Sequence, residues 1–175
     1  MAKKKVCCLA GPRPSALPFG DREDDPRCIQ LIQVLEEKLI GLITAGIDTF
    51  LCGLSQGVDT YFAELVLRLK ERYPAIMLKC VLASEHVPDY WIECDRERYY
   101  RILAQSDGEL YISRTHTQKS FTKRNTYMIA NCDYLLIACS ALSGGIREMV
   151  HLALKKNLPT TVVDINDLSI QEFGV

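Results

Sequence analysis

Short apolar runs alternate with amphipathic segments along the whole chain, and this alternation limits the fold more than any other feature. Strand–helix alternation of this kind is typical of a parallel sheet with helices on both faces. Each apolar run has the length expected of a buried strand. The runs that we interpret as strands are residues 5–10, 49–52, 77–83, 109–113, 134–139 and 160–163.

The amphipathic segments carry clear helix signals. Asp25-Pro26 predicts the start of the first helix, because an acceptor side chain followed by proline suits the N-cap and the first helical position. Apolar residues then recur at spacings of three and four from Cys28 to Leu42. Further helices are predicted over residues 58–72, 94–105, 121–131 and 145–156. We therefore predict one α/β domain over residues 1–175, Rossmann-like, with a mostly parallel sheet of about six strands and helices on both faces.

Charge and hydropathy exclude several classes of protein. The formal net charge is −1, so no global basic field attracts DNA, RNA or anionic lipid. No apolar stretch approaches the roughly 18 residues that span a bilayer, and the run after the initial lysines is too short for a signal peptide. We expect a cytoplasmic protein with no membrane contact, and the charge disfavours a nucleic-acid partner. A homo-oligomer is left open beside a monomer.

The chain has eight cysteines, and no two of them form a C-x-x-C pair. Without paired spacings a structural zinc site is not expected, so we predict no metal. Most of the cysteines fall inside apolar runs, where a free thiol behaves as a small buried hydrophobic group. This pattern favours a reducing compartment and no disulfides.

Ligands of doubly wound sheets bind beyond the carboxyl ends of the strands, so the loops there carry the functional prediction. In the first loop, Gly11 allows close backbone approach and Arg13 offers a fork suited to phosphate or carboxylate. In the second loop, Gly53 and Gly57 flank a helix start, where free N–H groups and the helix dipole favour an anion. The spacing matches neither a G-x-G-x-x-G loop nor a Walker A loop, so no NAD or ATP cofactor is predicted. Alternatively, Asp59 caps that helix and its role is structural.

The loop after the fourth predicted strand is cationic. Residues 114–124 include Arg114, Lys119, Lys123 and Arg124 and contain no acid. We expect this strand to border the crevice where the strand order reverses, which makes Ser113 a candidate ligand residue and Arg124 a candidate for phosphate recognition. A solvated surface is the structural alternative.

The loop after the fifth predicted strand contains a second glycine-bearing helix start, at Gly144 and Gly145. Glu148 lies in the first turn of that helix, where the dipole stabilises a carboxylate, so capping is its structural alternative. Trp91, the only tryptophan, could stack on a base, but packing over the edge of the sheet is the favoured interpretation.

These loops resemble those of the SLOG superfamily, the Rossmann-like group that joins the DNA-processing protein DprA to the cytokinin-activating LOG enzymes. Within it, the chain is similar over nearly its whole length to the bacterial YpsA-like family, long labelled a domain of unknown function. Family members tend to have histidine where this chain has Pro12. The residues that carry the resemblance are the Gly11–Pro14 loop, Gly53-x-x-x-Gly57-x-Asp59 with Ala63-Glu64, Trp91 and Arg124-Asn125.

A second similarity is to the LOG phosphoribohydrolases, which carry R-K-x-x-M followed by P-G-G-x-G-T-x-x-E. Arg124 and Glu148 match the arginine and the glutamate that these enzymes use on a nucleoside monophosphate, which makes them the candidate catalytic pair. Asn125 replaces the lysine, Gly145 replaces the threonine, and the P-G-G portion is absent. The resemblance therefore implies the fold and the class of ligand more strongly than the reaction.

Three functions follow from the residues and the resemblance together. The first is the binding of a nucleotide or a nucleotide-derived small molecule, the second is a LOG-like phosphoribohydrolase, and the third is a DprA-like partner of DNA. The near-neutral charge disfavours the third. The residues expected at the ligand lie at strand ends or helix starts or carry the resemblance: Gly11, Arg13, Gly53, Ser55, Gln56, Gly57, Asp59, Glu64, Ser113, Arg124, Asn125, Gly144 and Gly145.

Overall fold

A computed structural model describes residues 5–174. The seven strands of that range are β1 Val6–Ala10, β2 Thr49–Cys52, β3 Met77–Leu82, β4 Glu109–Tyr111, β5 Tyr134–Cys139, β6 Thr160–Asp164 and β7 Ile170–Phe173. The same range contains five α-helices, α1 Pro26–Thr44, α2 Val58–Leu69, α3 Glu93–Gln105, α4 Gln118–Ala130 and α5 Gly144–Lys155. Short 3-10 turns at Pro14–Ala16 and Val87–Tyr90 follow β1 and β3.

The seven strands form one sheet in the order β4-β3-β2-β1-β5-β6-β7. The first six are parallel, and β7 pairs with β6 in the antiparallel direction. The chain adds strands outward from β1 to β4 and then crosses back to place β5 on the other side of β1. The strand order therefore reverses between β1 and β5, and a ligand crevice is expected beyond the carboxyl ends of these two strands.

Helices cover both faces of the sheet. The apolar sides of α1, α2 and α3 pack on one face, and those of α4 and α5 pack on the other. The first helix begins as the sequence predicts, since the side chain of Asp25 accepts a hydrogen bond from the N–H of Arg27 and Pro26 is the first helical residue. The central strand β1 is buried on both sides, at Cys8 and at Leu9.

The predicted Rossmann-like α/β fold with a mostly parallel sheet is confirmed, and β2 and β5 have the predicted bounds. The structure adds β7, which the sequence did not indicate. All four residues of this strand are exposed, so no buried face leaves an alternating or continuous apolar pattern. Its conformation is imposed by pairing with β6, for example of Ile170 with Val163.

The position expected for the fourth strand is wrong. That strand, β4, forms an edge of the sheet and does not border the point where the order reverses. None of the helices formed by residues 5–174 is both long and apolar enough to cross a membrane. The initial lysines used in the signal-peptide argument, except Lys5, lie outside the described residues.

Candidate functional site

A cleft of about 640 Å³ lies beyond the carboxyl ends of β1, β2 and β5. Its walls are the loop after β1, the loop after β2, the start of α5 and one side of α4. Its volume is within the range of small-molecule sites, and it occupies the crevice that the reversal of strand order predicts.

Asp59 joins the loops that follow β1 and β2. It is buried, and its two carboxylate oxygens accept the N–H groups of Gly11 and Ser55, each at 3.1 Å. Burial raises the pKa of this carboxyl, while the nearby Arg124 and the two N–H donors act to lower it. Because the side chain bonds to the two loops, helix capping is not its role.

Arg124 ties α4 to the loop after β2. Its side chain is 9% exposed, and Nη1 donates to the carbonyl of Gly53 at 3.2 Å and to Oγ of Ser55 at 3.1 Å. Nε and Nη2 both donate to Oδ1 of Asn125, at 3.2 and 3.0 Å. These bonds occupy all but one of the N–H groups of the guanidinium. Most of its hydrogen-bonding capacity therefore holds the cleft together.

Asn125 continues these contacts to the start of α5. Its Nδ2 donates to Oε2 of Glu148 over 3.5 Å, which is a long hydrogen bond. Glu148 is half-buried, lines the cleft and has no salt bridge to a residue within 5–174. We call the connected side chains of Asp59, Ser55, Arg124, Asn125 and Glu148 the polar chain, which links the second and fifth strand-end loops through α4.

The start of α2 is less open to an anion than its glycines suggest. The N–H of Val58 donates to the carbonyl of Pro12 at 3.2 Å. Gly57 has φ of +89°, and a Cβ on it would lie 2.5 Å from the same carbonyl oxygen. This glycine is therefore required for the close approach of two protein loops. It lines a second, smaller cavity of about 270 Å³ rather than the cleft.

The start of α5 is open. Gly144, with φ of +50°, and Gly145 line the cleft together with Ile146. The backbone N–H groups of these three residues make no hydrogen bond with any residue in the described range, and the side chain of Ser143 does not cap the helix. Free amides and the positive end of the helix dipole together favour an anion.

Arg13, in the loop after β1, and Phe121, on α4, also line the cleft. The guanidinium of Arg13 lies 5.4 Å from the ring centre of Phe121, and that of Arg124 lies at the same distance. Arg13 is exposed and has no acidic partner among residues 5–174. Sequence analysis did not single out Phe121, although it lies one helical turn before Arg124 and so faces the same side of α4.

Gly11, Gly53, Ser113 and Gly144 lie at the same edge of the sheet, because the strands before them are parallel. The cleft receives all the predicted ligand residues except four: Gln56, Gly57, Glu64 and Ser113.

Gly57 lines the smaller cavity, and the other three residues outside the cleft bind to other side chains of the protein. Nε2 of Gln56 donates to Asp95 at 2.6 Å, and Glu64 accepts two hydrogen bonds from Arg98, at 2.8 and 2.6 Å. Ser113 follows the edge strand and contacts Thr115. No group of three or more His, Cys, Asp or Glu side chains in residues 5–174 is arranged to hold a metal ion.

Comparison with known families identifies the family of this chain. The sequence profile of the YpsA family, described as the YspA SLOG family, matches residues 7–168. The chain belongs to this family. The predicted resemblance is thereby confirmed at the level of the family as well as the superfamily.

Similar sequences occur in several bacilli. A UPF0398 protein of Bacillus pumilus is 29% identical over 136 residues, which cover 75% of this chain and 72% of the relative. The UPF0398 protein YpsA of Bacillus subtilis is 25% identical, with 76% and 74% covered. A UPF0398 protein of Bacillus licheniformis is 25% identical, with 95% and 94% covered.

Two solved structures of DNA processing protein A resemble the fold. The protein from Helicobacter pylori superposes with a TM-score of 0.58 at 18% identity, over 90% of this chain and 64% of that one. The protein from Streptococcus pneumoniae gives a TM-score of 0.55 at 14% identity, over 91% and 50%. This chain thus spans between half and two thirds of the DprA chains, and at these identities the likeness concerns the fold alone.

Proposed function

We propose that the cleft binds a nucleotide or a nucleotide-derived small molecule, with a phosphate group at the start of α5. The observation that carries the proposal is the set of three backbone amides, of Gly144, Gly145 and Ile146, that donate to no residue within 5–174 and line the same cleft as the exposed guanidinium of Arg13. An anion between them would gain charge-assisted hydrogen bonds from both sides.

The acids of the cleft restrict where the anion lies. Asp59 is buried beneath the loops and satisfied by backbone N–H groups, whereas Glu148 is half-buried and lines the cleft. A free carboxylate repels phosphate but accepts a hydrogen bond from a hydroxyl group. The ligand supported best therefore has both a phosphate and hydroxyl donors, as a nucleotide has.

Substitution of Gly144 tests the phosphate position with a matched control. A Cβ atom added at Gly144 meets no atom within 4 Å, and the φ of +50° suits Asp and Asn better than other residues with a side chain. Gly144→Asp should weaken binding of ADP and of pyrophosphate at least about tenfold through charge repulsion, whereas Gly144→Asn should bind nearly as wild type. Isothermal calorimetry measures both variants. Equal affinities for the two variants would place the phosphate elsewhere.

Arg13 gives an independent test from the other side of the cleft. Loss of one charge-assisted contact in Arg13→Ala should reduce affinity for pyrophosphate by about 1.5–3 kcal/mol, or roughly 10- to 150-fold. Arg147→Ala is the control, because Arg147 is an exposed cation in the first turn of α5 that does not line the cleft. If both substitutions weaken binding equally, the effect is one of general charge.

A phosphoribohydrolase is the second candidate, and it is favoured by the carboxylate of Glu148, which lines the cleft and accepts only a long hydrogen bond from Asn125 within residues 5–174. In that reaction water cleaves the N-glycosidic bond, and Glu148 stabilises the ribose carbon or activates the water. Glu148→Gln should then abolish release of free base from AMP while substrate binding persists. If wild type binds AMP and releases no adenine over hours by chromatography, binding alone remains, which is the result that we expect.

All eight cysteines are free thiols, and seven of them are buried, which supports a reducing compartment such as the cytoplasm.

A nucleic acid is a competing ligand, because the H. pylori DprA is described with a single-stranded DNA binding mode. Titration with a fluorescent single-stranded oligonucleotide at two salt concentrations separates this outcome, since DNA affinity falls steeply with salt.

A further inference from the structure

Three aromatic rings form a continuous row that begins in the cleft and leads out of it. The ring centres of Phe121 and His116 are 5.5 Å apart at an interplanar angle of 81°. Those of His116 and Tyr90 are 6.0 Å apart at 40°. We call Phe121, His116 and Tyr90 the aromatic row.

The aromatic row lies at the ligand-binding edge of the sheet. Phe121 lines the cleft, whereas His116 belongs to the loop after β4 and Tyr90 ends the 3-10 turn after β3. The two outer rings are therefore supplied by the neighbouring strand ends. Oγ of Ser84 lies 3.4 Å from Nδ1 of His116 and leaves Nε2 of that ring without a partner in the described range.

The outer end of the row contributes little to packing. Tyr90 is 83% exposed, the largest exposed fraction among the large apolar side chains of the described range. Trp91, for which the sequence favoured packing over stacking on a base, contacts Tyr99 edge to face and lines the smaller cavity. An exposed ring that stabilises the fold so little is available to a ligand.

Charge favours a phosphate at the cleft end of this surface, where Arg13 and the open amides of α5 lie. The outer end carries charges of both signs. Glu85 and Asp89 are exposed shortly before Tyr90, with Asp89 hydrogen-bonded to His86, and Arg114 and Lys119 are exposed near His116 in the chain. An uncharged or cationic ring is favoured at the Tyr90 end, since aromatic faces bind both.

We propose that the aromatic row is the base subsite of the ligand, whose phosphate lies at the start of α5. This inference rests on the proposed function and assigns an orientation to it. The base leaves the cleft past Phe121 and stacks over His116 and Tyr90, so that two residues outside the cleft determine the contribution of the base to affinity.

A pair of probes, with and without a base, tests the subsite. Calorimetry is carried out with ADP and with pyrophosphate on wild type, Tyr90→Ala and His116→Ala. Loss of a stacking ring should lower the affinity for ADP by about 5- to 150-fold and leave the affinity for pyrophosphate unchanged. Tyr90→Phe keeps the ring and should bind ADP nearly as wild type. Tyr100→Ala is the matched control, because this tyrosine is half exposed on α3 and lies outside the row.

The outcomes separate this inference from the proposed function. If wild type binds neither probe, the proposed function itself is wrong. If wild type binds ADP and pyrophosphate with equal affinity, the base has no subsite and the inference is overturned. The inference is also overturned if wild type binds ADP more tightly than pyrophosphate but neither Tyr90→Ala nor His116→Ala changes the ratio of the two affinities. An equal loss of affinity for ADP and for pyrophosphate in these variants leaves that ratio unchanged and has the same consequence.

Discussion

Asp59 should be the residue on which the geometry of the cleft depends most. Its carboxylate accepts two backbone N–H groups, from Gly11 and Ser55, in a fully buried position. Asp59→Ala removes both acceptors and leaves Arg124 without the nearest buried negative charge. Asp59→Asn keeps the volume and one acceptor oxygen but turns a donor toward the other N–H group.

The size of the effect follows from these contacts. A hydrogen bond to a charged group contributes about 1.5–3 kcal/mol, and breaking a buried charge arrangement costs about 3–5 kcal/mol. We expect Asp59→Ala to lower the free energy of unfolding by about 3–5 kcal/mol. For Asp59→Asn we expect about 1–3 kcal/mol, since one buried N–H is left unsatisfied while the burial of a charge is relieved. These are large fractions of the roughly 5–15 kcal/mol of a typical domain.

Urea unfolding followed by circular dichroism and by Trp91 fluorescence measures both variants, with Asp24→Asn as an exposed control. The pKa of Asp59 is higher in the folded protein than its ordinary value of 3.8, so protonation of this carboxyl favours folding. Its contribution to the free energy of unfolding is therefore complete below pH 3.8 and is lost as the pH rises through the pKa of the folded protein. The difference in free energy of unfolding between wild type and Asp59→Asn should become smaller as the pH rises through this range. If both variants unfold within about 0.5 kcal/mol of wild type, Asp59 does not hold the loops and the reasoning is refuted.

Three further predictions concern the scaffold. Gly57→Ala should destabilise the protein by about 1–3 kcal/mol, because of its positive φ and the nearby carbonyl of Pro12, whereas Gly41→Ala inside α1 should stabilise it by about 0.5–1 kcal/mol; urea unfolding compares them. Ellman's reagent should titrate one thiol quickly in native protein, that of the exposed Cys94, and eight after unfolding; Cys94→Ser should remove the fast phase. Arg27 lowers the pKa of Asp25, so the contribution of Asp25 to the free energy of unfolding is present above pH 3.8 and is lost as the pH falls through the pKa of the folded protein. Asp25→Asn should keep the start of α1 but weaken this dependence on acid, and Asp25→Ala should destabilise the protein more than Asp25→Asn; acid unfolding measures both.

The features predicted correctly from the sequence are those that local chemistry or burial determines. The start of α1 follows from Asp25-Pro26 alone, because the cap and the proline act within one turn. The buried strands β2 and β5 are short apolar runs between helices, so burial on both faces marks their ends. Parallel strands then place their following loops on one edge, which is why Gly11, Gly53 and Gly144 meet in the cleft.

The features missed depend on partners distant in sequence. Whether β4 lies at the edge or at the centre is set by the strand order, which no local pattern encodes. The openness of a helix start is likewise set by other loops: Pro12 occupies the first N–H of α2, while nothing in the described range occupies those of α5. Phe121 was missed because a single aromatic residue in an amphipathic helix gives no signal until α4 is placed over the cleft.

Two of the three departures from the LOG pattern, those at residues 125 and 145, lie next to each other in the folded protein. A Cβ on Gly145 would lie 2.9 Å from Nδ2 of Asn125, so a side chain at 145 requires the amide at 125 to move. The same Nδ2 approaches Glu148, while Oδ1 of Asn125 holds Arg124. The residues at 125 and 145 therefore form one coupled arrangement rather than two separate losses. In this arrangement Arg124 and Glu148 are bound to each other through Asn125, which suits a rigid binding site better than a pair of groups that must respond to a reacting substrate.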